Sequence, residues 1–111
     1  MVGIDVVDIE RFRRSLTRNP ALREELFTLA EQRYCDRFGD PVPHLAGTLA
    51  AKEAVIKALG LGTLAGAAKK VEVERDDSGA PRVRVEGSNS GSIELSISHD
   101  GPVAVAIAFI R

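Results

Sequence analysis

The 111-residue chain predicts a single α+β domain: an N-terminal strand, then several helices including a central one, packed on a mainly antiparallel sheet. Three observations predict it. Val2, Ile4 and Val6 alternate with Gly3, Asp5 and Val7 at strand spacing, and apolar and alanine positions over about 44–59 follow a helical period. Turn residues at 76–79 then separate two short β-branched runs, which is a hairpin pattern. The order of strand, helices and antiparallel strands contains no repeat or linker, so residues 1–111 form one domain.

In the first strand Asp5 lies on the face opposite Val2, Ile4 and Val6. Asp8 follows with a side chain suited to capping a helix, and Ile9, Phe12 and Leu16 recur at helical spacing to about residue 18. Asn19-Pro20 has the form of an N-cap and first-turn proline, opening a second, short helix. Thr28-Leu29-Ala30-Glu31 has the form of a capping box, so a helix restarts there and runs past Tyr34 to about Phe38, where Gly39 stops it. Residues 40–43 read as a loop. The central helix carries Leu45, Leu49, Val55, Ile56 and Leu59 with small alanines between them, and Gly60 ends it. A glycine-rich connection over 60–66 leads to a strand at 71–75, the turn, and a strand at 83–86. After a polar loop at 87–92, two last strands at 93–98 and 103–110 are joined by residues 99–102.

Composition narrows the function classes. The 44% hydrophobic and 28% charged content is that of a soluble globular protein, and no apolar run approaches the ~20 residues of a membrane span. The N-terminus carries acidic residues where a signal peptide would be basic and then apolar, so the expected location is the cytoplasm. Cys35 is the single cysteine, which excludes an intrachain disulfide and a thiolate metal site and leaves an ordinary thiol. A net charge of −1 argues against generic nucleic-acid binding. Arg11, Arg13, Arg14, Arg18 and Arg23 nevertheless concentrate early, forming either a solvated helix face or a patch for an acidic protein surface or phosphates.

The residue pattern with most chemical content is 47–62, which sets Glu53 one turn before Lys57 on an apolar helix ending in glycines. Asp5, in an aliphatic strand, costs desolvation free energy unless a cation or hydrogen-bond donors receive it; it reads either as a partly exposed strand end or as a ligand for a hard divalent cation. Asp8 is explained by helix capping. Glu53 is the natural second oxygen ligand, because Mg²⁺ is commonly held by one or two carboxylates together with substrate phosphates. Lys57 reads either as a phosphate-neutralising cation or as an ordinary partner of Glu53, and Lys52 as a solvated lysine. His99, at a strand end before Gly101-Pro102, is placed to reach a phosphate or accept a proton, or is a surface turn residue. His44 reads as a loop residue, and Gly60-Leu61-Gly62 as a helix C-cap.

Over residues 3–110 the sequence resembles the holo-acyl-carrier-protein synthase type of 4'-phosphopantetheinyl transferase. Four blocks carry the resemblance in order: Gly3-Ile-Asp-Val-Val-Asp-Ile-Glu-Arg11; Leu26-Phe-Thr-Leu-Ala-Glu31; Ala50-Ala-Lys-Glu-Ala-Val-Ile-Lys-Ala58 with Gly60 and Gly62; and the stretch 76–81 with Leu95-Ser-Ile-Ser-His-Asp100. The resemblance implies transfer of the 4'-phosphopantetheine arm of coenzyme A to a serine of an acyl carrier protein, with release of adenosine 3',5'-bisphosphate. It implies Asp5 and Glu53 as Mg²⁺ ligands, Lys57 as a pyrophosphate contact and His99 as a coenzyme A contact near the adenosine-phosphate end. Gly62, Gly79 and Pro81 would shape the coenzyme A cleft. Either Glu53 or a water molecule would take the serine proton. The resemblance also implies a homotrimer with active sites at subunit interfaces, which agrees with the small core of so short a chain. Carrier proteins are acidic, so Arg11, with Arg14, becomes the docking patch.

The chain departs from the family pattern at three positions. Thr48 stands where the family commonly has arginine, Ala80 where lysine is frequent, and Glu94 where the final motif has an earlier histidine. The loop at 87–92 is shorter than the insertion relatives often carry. The metal ligands and Lys57 are retained, which favours an active enzyme. The alternatives are a silent relative that binds a carrier protein or synthase, and an enzyme of the same fold using another phosphopantetheine donor or an acyl-coenzyme A.

Overall fold

The computed structural model describes residues 1–88 and 92–111. Its elements run β1 (Val2–Asp8), α1 (Ile9–Arg18), α2 (Leu22–Leu26), α3 (Leu29–Cys35), α4 (Val42–Leu59), α5 (Leu64–Ala67), β2 (Val71–Arg75), β3 (Pro81–Val85), β4 (Ile93–Asp100) and β5 (Val103–Ile110). Strands β1, β5 and β4 form one antiparallel sheet in that order, while β2 and β3 form a separate antiparallel hairpin. The expected α+β class is present.

The 18-residue α4 is the axis of the fold. Its buried positions lie on every side of the helix, from Leu45 through Ala58, as expected of a helix enclosed by other elements. One side packs on the inner face of the β1-β5-β4 sheet and on the β2-β3 hairpin, with Ala54, Val55, Val71, Val83, Ala106 and Ala108 in the core between them. The other side meets the N-terminal helices around Phe12, Phe27, Leu45 and Cys35, with Phe12 and Phe27 edge to face at 6.2 Å. Close approach of α4 to β1 depends on Gly3: a Cβ there would stand 2.0 Å from the Ala54 carbonyl oxygen. Among the described residues no helix is long and apolar enough to cross a membrane.

Local signals set the helix ends. The Asp8 carboxylate accepts from the Arg11 N–H at 2.8 Å and caps α1. Thr28 and Glu31 form the predicted capping box, and Gly60 closes α4 in the left-handed region at φ +64°.

Several boundaries differ from the sequence reading. Residues 19–21 form a turn, with the Leu22 N–H donating to the Asn19 carbonyl, so α2 begins after Pro20. α3 ends at Cys35, before Phe38. α4 starts at Val42 because Asp40 accepts from the Val42 N–H and the prolines fit a first turn that needs no N–H, so His44 is helical and not in a loop. The 60–66 connection contains an unforeseen short helix, α5, capped by Thr63. β3 starts at Pro81, and β4 continues to Asp100 by pairing it with Val103, which puts His99 inside a strand. Residues 89–91 of the expected 87–92 loop lie outside the described residues.

The alternation in β1 does not say which of its faces is covered, and the structure decides it. Val2, Ile4 and Val6 are exposed, and the Gly3-Asp5-Val7 side turns inward. A helix as thick as α4 approaches a sheet this closely only where the facing side chains are small. Gly3 and the alanines at 104, 106 and 108 supply that face.

Candidate active site

Asp5 sits mid-strand in β1 opposite Ala106, with a side chain 17% exposed on the α4 side of the sheet. Lys57, in the last turn of α4, reaches back to it: Nζ lies 2.8 Å from Asp5 Oδ1 and donates to the Ile4 carbonyl at 3.0 Å. The Asp5 hydrogen bond holds the Lys57 pKa above its ordinary value, with the charges of Asp5 and Glu53 adding to it. Lys57 is therefore bonded to Asp5, and Glu53 exerts only a longer-range attraction on it.

Glu53 projects from α4 one turn earlier and is half-buried. Among the described residues it has no hydrogen-bond partner. Burial raises its pKa above the usual carboxylate range, the negative charge of Asp5 raises it further, and Lys57 partly opposes the shift. Two carboxylates converging at this cost form the donor set that a hard cation relieves. Asp5, Glu53 and Lys57 are thus brought together as the sequence expected, and the helix end beside them is closed by Gly60 and Gly62, both at positive φ.

The other expected site residues lie elsewhere on the chain. Gly79, at φ +86°, closes the Asp76 turn, where the Asp76 carboxylate accepts from the Ser78 and Ala80 N–H groups. Pro81 opens β3 and lines a cleft between the hairpin and β4 together with Arg82, Arg84, Glu94 and Leu95. His99 lies at the end of β4, against the first turn of α4, with its ring 5.1 Å from that of His44. His44 and Lys57 stand at opposite ends of α4, about 20 Å apart at roughly 1.5 Å per residue. The sheet face between Asp5 and His99 is covered by α4.

The three departures have distinct surroundings. Thr48 is 2% exposed and donates to the His44 carbonyl at 2.8 Å beside Cys35, so it belongs to the core. Ala80 lies in the turn, and exposed Glu94 faces Arg111 at 3.9 Å.

Two features escaped the sequence reading. Lys52 is not solvated: it is wholly buried and paired at 2.5 Å with Glu31, which is also buried. Burial lowers the Lys52 pKa, and Glu31 counteracts that effect. Glu31 also accepts from the Thr28 and Val73 N–H groups, so one carboxylate joins α3, α4 and β2. Lys52 shares with the Thr28 N–H the same Glu31 oxygen, Oε1, while Oε2 accepts from Val73, and no local signal in the sequence marked either long-range contact. His44 is the other, and no local signal marked its contact with His99. In the arginine patch, Arg13 is committed to Glu10 and Asp40 and Arg23 to Asp36, whereas Arg11 and Arg14 are exposed with no ion pair among the described residues.

A family model described as the 4'-phosphopantetheinyl transferase superfamily matches residues 1–108. A holo-[acyl-carrier-protein] synthase of Chlorobaculum tepidum is 46% identical, over 99% of this chain and 97% of its own. Another, of Alkaliphilus metalliredigens, is 41% identical over 96% of this chain and 94% of its own. Among solved structures, the Helicobacter pylori holo-[acyl-carrier-protein] synthase in complex with coenzyme A covers all of both chains with a TM-score of 0.86 at 26% identity. The Chronobacterium ammoniagenes ACPS-CoA complex covers 100% of this chain and 96% of its own, with a TM-score of 0.83 at 31% identity. With the fold and the full-length matches in agreement, this chain belongs to the holo-[acyl-carrier-protein] synthases of the 4'-phosphopantetheinyl transferase superfamily.

Proposed function

We propose that the chain transfers 4'-phosphopantetheine from coenzyme A to a serine hydroxyl of an apo acyl carrier protein, in the cytoplasm, and releases adenosine 3',5'-bisphosphate. The observation that carries this reading is the convergence of Asp5, Glu53 and Lys57 in a chain of this family. Asp5 and Glu53 fit Mg²⁺, because Glu53 is half-buried, without a hydrogen-bond partner among the described residues, and raised in pKa by burial and by Asp5. When bound there, Mg²⁺ supplies charge stabilisation to the pyrophosphate of coenzyme A. Lys57 adds a fixed positive charge on the same side, held by Asp5 and the Ile4 carbonyl. The serine oxygen attacks the β-phosphorus in line, its proton passing to Glu53 or to a water molecule, and the bond to the leaving bisphosphate breaks as the new P–O bond forms. Gly62, Gly79, Pro81 and His99 line the path of the coenzyme.

The active unit in this reading is a homotrimer with interfacial sites. Two observations support it. The Lys57 end and the His99 end of α4 are about 20 Å apart with the helix filling the space between them, so a neighbouring copy brings one half of the site to the other. The outer sheet face also exposes Val2, Ile4 and Val6 beside Val103, Ile107 and Phe109, a contiguous apolar surface of the kind that subunits cover. Arg11 and Arg14, free of ion pairs among the described residues, form the docking patch for the acidic carrier protein.

The test is the intact mass of an apo acyl carrier protein after incubation with this protein, coenzyme A and Mg²⁺. A gain of ~340 Da that disappears on chelation supports phosphoryl-linked transfer of the arm. No gain across several carrier proteins refutes it.

A further inference from the structure

We propose that Lys52 is a positioning residue of the transfer site: its buried pair with Glu31 sets the rotation of α4 about its own axis, and with it the direction in which Glu53 meets Asp5. The proposal rests on the reading of Asp5 and Glu53 as the holders of a divalent cation.

The need for such a device follows from the make-up of α4. Leu45, Leu49, Val55 and Ile56 pack from neighbouring turns, but half of the buried helix surface is Ala46, Gly47, Ala50, Ala51, Ala54 and Ala58. Ridges of side chains seated in grooves set how a helix lies on its neighbours, and methyl groups raise only shallow ridges. Apolar contact is also non-directional, so it holds α4 close to β1 without selecting one rotation. The tolerance at the site is narrow. A rotation of about 10° carries a side-chain tip, at a helix radius of roughly 5–6 Å, through about 1 Å.

Lys52 supplies the missing direction. It and Glu31 are the buried charged side chains among the described residues. Lys52 Nζ lies 2.5 Å from Glu31 Oε1 and 5.6 Å from the centre of the Phe27 ring. Glu31 is not free to follow a turning helix, because Oε1 also accepts from the Thr28 N–H and Oε2 from the Val73 N–H, each at 2.8 Å. The capping box of α3 and strand β2 therefore hold one end of the pair, and α4 holds the other. A charge-assisted hydrogen bond in a dry interior is directional and costly to stretch. Lys52 and Glu53 are consecutive, so about 100° of helix rotation separates their side chains and pinning one aims the other. Glu53 has no hydrogen bond of its own among the described residues to aim it; only the charges of Asp5 and Lys57 act on it.

Stability alone does not call for this pair. Buried ion pairs replaced by apolar side chains of similar volume are often as stable or more so, and what the replacement removes is the directional contact.

The experiment titrates Mn²⁺, a paramagnetic stand-in for Mg²⁺, into the full-length protein and reads free metal by electron paramagnetic resonance. Wild type, Glu53→Gln, Lys52→Met and the double variant Glu31→Leu with Lys52→Met are compared, each well below its melting temperature. Wild type should bind Mn²⁺ in a manner that Glu53→Gln weakens. The double variant should regain much of the melting temperature lost in Lys52→Met, yet both should bind Mn²⁺ about tenfold or more weakly than wild type. The kcat for transfer should fall alongside, with the KM for the carrier protein, which docks on α1, near its wild-type value. Wild-type Mn²⁺ affinity and kcat in the double variant would reduce Lys52 to a packing residue and overturn the proposal, leaving the transferase reading intact. Absence of Glu53-dependent Mn²⁺ binding in wild type overturns the cation reading and this proposal together. If the double variant melts early, Lys52→Arg keeps the ion pair that Lys52→Met removes: tighter Mn²⁺ binding by the arginine variant supports the proposal, and equal binding by the two overturns it.

Discussion

Gly3 and Ala54 bring strand β1 and helix α4 into backbone contact, so close that a Cβ on Gly3 would lie 2.0 Å from the Ala54 carbonyl oxygen and 2.9 Å from the Ala58 nitrogen. The two residues on either side of this contact in the site are Asp5, two positions along β1, and Lys57, one turn along α4. Gly3→Ala is expected to force the helix off the strand and destabilise the fold by about 3 kcal/mol or more, because the obstacle is backbone and cannot rotate away. Denaturant unfolding checks the stability. Any folded fraction should also show reduced transfer, since the Asp5–Lys57 pair opens.

Replacing Glu53 separates stability from activity. Its pKa is raised in the folded protein, so its contribution to stability is present below the ordinary value of 4.5 and lost as pH rises through the folded value. Glu53→Gln carries no such loss. Without added metal it should melt above wild type at pH 7, the gap closing toward pH 4, while transfer activity falls by about 100-fold or more for a lost charge-stabilising group. A melting temperature at pH 7 below that of wild type would count against the electrostatic strain described here.

The buried pair of Glu31 and Lys52 gives a prediction with opposite outcomes for single and double variants. Lys52→Met alone leaves the Glu31 carboxylate uncompensated and should cost about 3–5 kcal/mol, whereas Glu31→Leu combined with Lys52→Met should recover a large share of that loss. Glu31 also accepts from Thr28 and Val73, so recovery is incomplete. Chemical denaturation of the three proteins measures both effects.

For the outer sheet face, Ile107→Lys places a charge at the centre of the exposed apolar surface, opposite Ile4 in the register. The isolated chain should fold as before, because the position is already 43% exposed. Light scattering should then report the monomer mass, and transfer should be lost with it. A stable trimer carrying the substitution would exclude this face from the interface.

Arg11→Glu is expected to raise the KM for the carrier protein about tenfold at low salt, in keeping with electrostatic steering by an exposed charge, and to leave coenzyme A affinity unchanged. Steady-state kinetics at two ionic strengths reads both, and the difference from wild type should shrink as salt screens the contact.

Much of the fold follows from signals of short range. Caps at Asp8, Thr28-Glu31 and Gly60 depend on side chains within four residues of the backbone they serve, and all three stand where the sequence put them. Helix α5 was missed because its Thr63 cap lies inside a run of glycines that reads as loop. The start of α4 was misplaced by two residues because a proline pair resembles a loop until Asp40 is seen accepting from Val42.

The sequence by itself determined the family, the α+β order of elements and the likeness of Asp5, Glu53 and Lys57 to a metal and phosphate site, since these depend on residue identity and near-neighbour spacing. Tertiary structure alone decided that Lys57 bonds to Asp5 across 52 residues, that Lys52 is buried against Glu31, and that His44 meets His99. It also decided which face of β1 is covered. Alternation shows that a strand has an aliphatic side and a polar one; it does not say that α4, pressed against Gly3 and three alanines, needs the smaller side and leaves the aliphatic one outward. That choice belongs to the fit of helix backbone to sheet backbone, which no single segment of the chain encodes.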